Sequence, residues 1–112
     1  MWEVLFDDEF EVEFDSLEEA VRQAILNKAG FLERFGPSLG RPHVDTLKGS
    51  SLSNLKELRV QCGGVPWRVL FAFDPKRRAI LLVGGNKAGD KRWYKGAIRT
   101  AEDRYRRNWS DA

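Results

Sequence analysis

Residues 55–85 read LKELRVQCGGVPWRVLFAFDPKRRAILLVGG, and this stretch decides the fold. Apolar and polar side chains alternate over residues 55–62 and again over residues 67–73, which predicts two strands with two distinct faces. Gly63-Gly64 lies between them and is a hairpin signal, with Val65-Pro66 predicted to lengthen the loop. The two strands are therefore expected to pair antiparallel.

A third strand is predicted directly after this hairpin. The sequence Asp74-Pro75-Lys76-Arg77-Arg78 is typical of a turn, because its proline stands where a turn favours it. Residues 79–83 are apolar throughout, which is typical of a central strand covered on both faces. Gly84-Gly85 is predicted to end this strand. The three strands together form an antiparallel meander.

The flanking sequence carries strand and helix signals. Residues 1–6 alternate and predict a short first strand. Two helices are predicted next: a short one capped by Asp7-Asp8, and a longer one that begins with a capping box at Ser16 and ends at Gly36-Pro37. Residues 37–54 are predicted to form a long loop, and a last helix with an apolar stripe follows the meander.

The order β-α-α-β-β-β-α predicts an α+β fold of one sheet and one helical layer, with an antiparallel meander sheet packed against the N-terminal helices and a C-terminal helix. The chain has 112 residues, which predicts one domain over residues 1–112 because each half alone would be too small to bury a core. Hydrophobic residues make up 42% and charged residues 32%, a composition that argues against disorder.

Composition also limits the class of chemistry. The chain has one cysteine and one histidine, so an internal disulfide and a Cys/His metal framework are excluded, and no metal or cofactor is expected. His43 is far in sequence from Cys62, and no Ser–His–Asp triad or P-loop is present. No apolar run reaches the roughly 20 residues of a membrane span, and the acidic N-terminus is unlike a secretory signal. These features predict a cytoplasmic protein with no membrane partner.

Charge is unevenly distributed along the chain. Residues 1–35 carry ten acidic and three basic side chains, whereas residues 36–112 carry sixteen basic and seven acidic ones. A basic region that follows an acidic one predicts a polyanion-binding face on one side of the molecule. The alternative is that both regions form ordinary solvated surfaces.

Two arginines are the first candidates for anion binding. Pairing around the Gly63–Pro66 turn, with the numbers of opposite residues summing to about 127, would place Arg59 opposite Arg68 on one face of the sheet. Neighbouring like charges are unfavourable unless an anion lies between them. Lys56 could reach the same region from one end, and the alternative is that the arginines pair with Glu57 or another carboxylate.

Further cations and aromatic side chains follow the last strand. They are Lys87, Lys91, Arg92, Trp93, Tyr94 and Lys95. Guanidinium groups, ammonium groups and aromatic faces are what a phosphodiester with flanking bases requires, so we expect RNA-binding residues here. The alternative for Trp93 and Tyr94 is packing on the sheet.

At this point the sequence resembles the RelE/ParE toxin superfamily, and its phage-derived HigB-type branch in particular. The resemblance lies in residues 35–42, 45–50, 55–60, 67–73 and 80–87, followed by Lys91. It implies a RelE-like fold, a toxin of a type II toxin–antitoxin pair, and a cognate antitoxin, typically a helix-turn-helix protein. It also implies an endoribonuclease that cuts mRNA on the ribosome.

The resemblance assigns roles to individual residues. It implies that Arg59 and Arg68 are the phosphate-binding arginines and that Lys56 is the strand lysine of the site. Its basic pair after the sheet corresponds to Lys87 and Lys91, and its C-terminal aromatic residue to Tyr94 or Trp93. Arg92 and Lys95 would extend the RNA-binding surface beside Trp93.

The implied reaction is attack of an RNA 2′-OH on the adjacent phosphorus, without a metal. Lys56 or Lys87 would be the base and Lys91 or Tyr94 the acid. Some HigB-type toxins use a histidine in the last region, and this chain has none there. Two other functions stay open: a ParE-like inhibitor of DNA gyrase, and an RNA-binding module without catalysis.

Overall fold

The computed structural model describes residues 1–86 and 91–110. Its helices and strands, in chain order, are β1 (Glu3–Phe6), α1 (Asp8–Asp15), α2 (Glu19–Phe35), β2 (Val44–Thr46), β3 (Leu55–Cys62), β4 (Val65–Asp74), β5 (Arg78–Asn86) and α3 (Lys91–Ser110). A short 3-10 turn over Gly36–Ser38 follows α2. The α+β class and the predicted order of the main elements are confirmed.

Five strands form one sheet in the order β1-β5-β4-β3-β2. The meander β3-β4-β5 is antiparallel as predicted. Two features of the sheet differ from the prediction: β1 runs parallel to β5, and β2 adds an edge strand inside the region predicted to be a loop. β2 has only three residues and pairs with β3, so a neighbouring strand rather than a local pattern makes it a strand.

The β3–β4 turn is tighter than predicted. Cys62 pairs with Val65, so Gly63 and Gly64 alone form the loop, with φ values of 58° and 79°. Two successive positive φ angles define the two-residue hairpin turn that glycine favours. Val65 and Pro66 belong to β4, and the prediction that they lengthen the loop is wrong.

Helices cover both faces of the sheet. One core lies under α1 and α2 and includes Phe10, Ile25 and Leu32 against Leu58 and Phe71. The core on the other face lies under α3; it contains Ala97 and Ala101 of that helix and Leu55, Leu70 and Leu82 of the sheet. The prediction of a single helical layer is therefore wrong, because α3 lies on the opposite face from α1 and α2.

Gly84 and Gly85 lie within β5 and do not end it. A Cβ on Gly84 would lie 3.1 Å from the Phe10 ring, and a Cβ on Gly85 would lie 2.3 Å from Nε1 of Trp93. Each glycine makes room for a ring that packs on one face of the sheet. The Gly84-Gly85 pair therefore allows close packing of aromatic rings on both faces of the sheet.

The predicted cap of α1 by Asp7 is confirmed, whereas the predicted cap of α2 by Ser16 is wrong. The Asp7 carboxylate accepts hydrogen bonds from the backbone N–H groups of Glu9 and Phe10 at the start of α1. Ser16 was predicted to cap α2, but its hydroxyl donates to the carbonyl of Glu13, 2.7 Å away, and closes α1 instead. Glu18 holds the N-cap position of α2 without a side-chain hydrogen bond.

The far end of α3 is tied to α1 by ion pairs. Arg104 is buried and donates to Glu13 at 2.6 Å and to the carbonyl of Leu82 at 2.8 Å. Arg107 pairs with Asp7 and Glu9. Acidic side chains from the first third of the chain thus neutralise basic side chains from the last helix, and the predicted separation into an acidic and a basic face does not occur at this end.

We predict opposite effects of alanine at two glycines, one inside α2 and one directly after its last residue. Gly30 lies inside the helix, and a Cβ there would meet nothing within 4 Å, so Gly30→Ala should raise the free energy of unfolding by about 0.5–1 kcal/mol. Gly36 has φ 55°, and a Cβ there would lie 2.3 Å from Nε1 of Trp2. Gly36→Ala should therefore cost about 1–3 kcal/mol or more. Urea unfolding of both variants would measure this, and equal shifts would contradict the assignment.

Candidate functional site

Arg59 and Arg68 lie opposite each other on the α3 face of the sheet. The register pairs them directly, as the sequence predicts, and also pairs Arg68 with Gly85 of β5. The Arg68 side chain is 9% exposed and the Arg59 side chain 34% exposed. One guanidinium is therefore enclosed by the protein and the other is open to solvent.

Glu57 supplies the anion between the two arginines. Its Oε1 lies 3.2 Å from Nε of Arg59 and 3.8 Å from Nε of Arg68. Glu57 precedes Arg59 by two residues and so shares its face of β3. The alternative that the arginines pair with Glu57 is thus realised, and a buried carboxylate removes the repulsion that the sequence left unexplained.

Asp45 extends this cluster to the edge strand. Its Oδ2 lies 3.0 Å from Arg59 and 2.9 Å from Arg41. The hydrogen bond from Arg41 is the largest of the effects that lower the pKa of Asp45, with smaller contributions from Thr46 and Arg59. The sequence does not single out Asp45, because the residues of β2 lie in the region predicted to be a loop. The available signal was that Asp45 is an acidic residue between two arginines of the sequence, Arg41 and Arg59.

The cluster carries a small net positive charge. Three guanidinium groups (Arg41, Arg59 and Arg68) face two carboxylates (Asp45 and Glu57), which leaves one positive charge. In addition, Nε of Arg68 is buried and has no hydrogen-bond acceptor among residues 1–86 and 91–110, while its NH1 donates to the carbonyl of Trp67. A buried guanidinium whose N–H lacks an acceptor is suited to binding an added anion.

Tyr94 joins α3 to this cluster. Its hydroxyl donates a 2.6 Å hydrogen bond to Oε2 of Glu57. Burial, followed by the bond to Glu57, raises the pKa of Tyr94 to about 12, although the Arg68 charge acts in the opposite direction. Tyr94 is therefore a protonated hydrogen-bond donor near neutral pH and does not serve as a base there.

Lys56 lies on the opposite face of the sheet from the two arginines. It shares the face of Leu58, and its Nζ donates to Oγ1 of Thr46 at 3.3 Å. The period-two geometry of a strand separates it from Arg59. The expectation that Lys56 joins the arginine pair is therefore wrong: Lys56 and Arg41 instead line a cleft of about 260 Å³ at the sheet edge.

The first turns of α3 present cations beside the site. Lys91, Arg92 and Lys95 are exposed. Trp93 is half-buried, packs against Gly85 and contacts the Tyr94 ring edge-to-face at a centroid distance of 5.0 Å. The alternative that Trp93 packs on the sheet is realised. Lys87 lies outside the described residues.

Comparison with known proteins places the chain among bacterial toxins. Residues 12–106 match the profile of the family described as phage-derived Gp49-like proteins. A Mycobacterium tuberculosis protein named as the toxin HigB3 is 46% identical over 97 residues, which cover 86% of this chain and 82% of that protein. Another, named as the toxin HigB2, is 50% identical over 76 residues, which cover 66% of this chain and 38% of that protein.

Solved structures share the fold at low sequence identity. The free E. coli toxin RelE, solved as a double arginine-to-alanine mutant, superposes with a TM-score of 0.64 at 14% identity and covers 88% of this chain and 95% of its own. The RelE–RelB complex of Pyrococcus horikoshii OT3 gives 0.56 at 20% identity, with 79% of this chain and 97% of that chain covered. The predicted RelE-like fold is confirmed.

The fold and the relatives define the class of the protein, a toxin of the RelE/HigB type. Within it, the chain belongs to the family of phage-derived Gp49-like proteins. Among the described residues no helix is long and apolar enough to cross a membrane.

We predict that Tyr94 makes stability depend on alkaline pH. Because its pKa in the folded state lies above the ordinary value of 10.0, its contribution is complete below about pH 10 and is lost as the pH rises through about 12. Tyr94→Phe should remove this component while leaving the other alkaline transitions in place. Unfolding curves from pH 9 to 12 would test it, with Tyr105→Phe as the control, and an identical pH profile for wild type and Tyr94→Phe would contradict the contact with Glu57.

Proposed function

We propose that the protein is a toxin of a type II toxin–antitoxin pair and acts as a metal-independent mRNA endoribonuclease on the ribosome. The observation that carries the proposal is the opposed pair Arg59 and Arg68, which together with Arg41 leaves one positive charge against Asp45 and Glu57, and whose Arg68 Nε has no hydrogen-bond acceptor among the described residues. Such a pair suits the pentacoordinate phosphorane formed during RNA cleavage, whose charge must be neutralised in place.

The proposed reaction uses the RNA itself as the nucleophile. The 2′-oxygen attacks the adjacent phosphorus and loses its proton, the bond from phosphorus to the 5′-oxygen breaks, and that oxygen gains a proton. The products are a 2′,3′-cyclic phosphate and a 5′-OH. Arg59 and Arg68 would neutralise the charge that develops on the non-bridging oxygens.

The structure narrows the candidates for proton transfer. Lys56 lies on the other face of the sheet and is not proposed as the base. Lys87 remains a candidate base; Lys91, at the start of α3, and Tyr94 remain candidate acids. A lysine with an ordinary pKa of about 10.4 is a poor base near neutral pH, whereas neighbouring cations lower that pKa and make it a better one.

Glu57 is proposed as a positioning residue. It holds the guanidinium of Arg59 from one side and the hydroxyl of Tyr94 from the other, so both groups have fixed directions before RNA arrives. The Arg59 side chain is 34% exposed and the Arg68 side chain 9% exposed, so a phosphate would meet Arg59 first, with Arg68 behind it.

We infer two macromolecular partners. The complex of RelE with RelB and the HigB-type relatives support an antitoxin, which we expect to be a helix-turn-helix protein. The exposed cations Lys91, Arg92 and Lys95 support docking on ribosomal RNA next to the arginine pair.

We predict that Arg68→Ala abolishes growth arrest and lowers RNA cleavage by roughly 10²–10³-fold, by analogy with the loss of one donor that stabilises a transition state. Arg68→Lys should recover only part of the rate, because an ammonium cannot reproduce the planar fork of donors. Arg99→Ala is the matched control, since Arg99 is an exposed arginine on α3. Cleavage is measured by primer extension.

Thermal unfolding of each variant separates loss of the site from loss of the fold. An Arg68→Ala protein that is folded and still arrests growth at equal expression would remove Arg68 from the site. Inhibition of gyrase supercoiling by the wild type, without RNA cleavage, would replace the nuclease with the ParE-like function.

We also predict that free protein cuts naked RNA poorly and that ribosomes raise the rate. His43 is the one histidine of the chain, and its carbonyl accepts the backbone N–H of Arg59. Its ring is engaged with Nζ of Lys28, 2.7 Å away, so we expect the site to depend on an external frame to align the 2′-OH. The ribosomal stimulation should weaken as salt rises, because phosphate contacts release counterions. Cleavage of one mRNA with and without programmed ribosomes, at two salt concentrations, is the measurement, and equal rates would contradict the prediction.

A further inference from the structure

A second cleft lies on the other face of the sheet from the arginine pair. It has a volume of about 580 Å³ and separates the α1–α2 connection from the β3–β4 turn. Trp67 and Val65 of β4 form one wall, and Leu17 and Val21 form the facing wall. All four side chains are at least partly buried. Ligand sites of this size commonly have mostly apolar walls and a few polar groups.

Among the described residues that line this cleft, Glu18 carries the only charge, and Asn86 and Ser16 add uncharged hydrogen-bonding groups. A phosphate would find no positive partner among these described residues. The lining favours an uncharged planar group that stacks on an indole and donates hydrogen bonds to a carboxylate.

The strand register links this cleft to the arginine pair. Trp67 directly precedes Arg68, and it pairs with Asn86, the residue after Gly85. Arg59 and Arg68 each lie three residues from the ends of their strands at the hairpin turn, which corresponds to about 10 Å along the sheet. RNA bound by the arginines can therefore pass around this end of the sheet and present a flanking nucleotide to the cleft.

We propose that this cleft binds a nucleobase that flanks the cleaved phosphodiester farther along the RNA and selects bases that carry an exocyclic amino group. The inference rests on the proposed function, because it takes the RNA to be held at Arg59 and Arg68. The base stacks on Trp67 while its amino group donates to Glu18 at the rim. Adenine, cytosine and guanine carry that amino group and uracil does not.

Cys62 provides a direct probe of the cleft. It is the only cysteine of the chain, is partly exposed and lines the cleft. Alkylation by N-ethylmaleimide is measured at low salt with saturating 2′-O-methyl oligonucleotides, which lack the nucleophile and cannot be cut. An oligoadenosine should slow alkylation about tenfold, the factor expected for stacking of one base on an aromatic ring.

Matched oligonucleotides and variants define the control. An oligouridine should protect less, and an abasic oligomer of equal length should not protect. Ala20→Trp places a bulky ring at an exposed position that lines the cleft, and should reduce the affinity for oligoadenosine to that for the abasic oligomer. Val12→Trp is the control, because Val12 is 72% exposed and lies on α1 outside the cleft.

Each outcome decides the proposal. The proposal is overturned if bound oligoadenosine leaves the alkylation rate of Cys62 unchanged, or if the abasic oligomer protects Cys62 equally. It is also overturned if the protein binds no RNA, or if a protein partner protects Cys62 and RNA does not. Cleavage of unmodified RNA is followed in parallel. Protection without cleavage on ribosomes would support the base cleft and refute the nuclease, whereas cleavage without protection would do the reverse.

Discussion

The arrangement depends on one electrostatic constraint: two arginines that face each other across neighbouring strands need a carboxylate between them. Glu57 meets this need from the same face of β3, and the same carboxylate accepts a hydrogen bond from the hydroxyl of Tyr94 on α3. The Glu57 carboxylate therefore both compensates the charge of the two arginines in the sheet and holds α3 against the sheet. A change at Glu57 alters the sheet and the helix contact together, so their stabilities are coupled.

The basic side chains at the two ends of α3 differ in their surroundings: those at the C-terminal end are paired with carboxylates, and those at the N-terminal end are exposed. At its far end, Arg104 and Arg107 are matched by carboxylates of the α1 region, which neutralises most of the local charge. At its near end, the exposed Lys91, Arg92 and Lys95 lie beside a cluster with one excess positive charge. The excess of basic residues in the later part of the sequence thus appears in the fold as a basic region at the N-terminal end of α3.

The sequence predicted the arginine pair because two simple rules act on it together. Strand alternation fixes the faces, and Gly63-Gly64 fixes the register that opposes Arg59 and Arg68. The strand β2 escaped prediction because only its pairing with β3 makes it a strand. Its Asp45, and the position of α3 on the second face, are likewise set by tertiary contacts that local patterns do not contain.

Lys56 and the Gly84-Gly85 pair show two other limits of prediction. Alternation alone places Lys56 with Leu58, on the opposite face from Arg59, whereas the family resemblance suggested that Lys56 belongs to the site of the two arginines. Glycine pairs commonly mark turns. Here, however, Gly84 and Gly85 lie inside β5 and leave space for the Phe10 and Trp93 rings on opposite faces of the strand. A glycine pair therefore distinguishes a turn from a packing site only when the facing side chains are known.

The charge balance of the cluster bears on what it can hold. One net positive charge, distributed over guanidinium groups that carboxylates already orient, matches a single phosphodiester better than a long polyanion. Attraction over longer distances must then come from the exposed cations of α3, whose effect weakens with salt, while the partly buried pair is screened less. Capture of RNA and neutralisation of one phosphate would therefore be carried by different residues, and only the first would depend strongly on ionic strength.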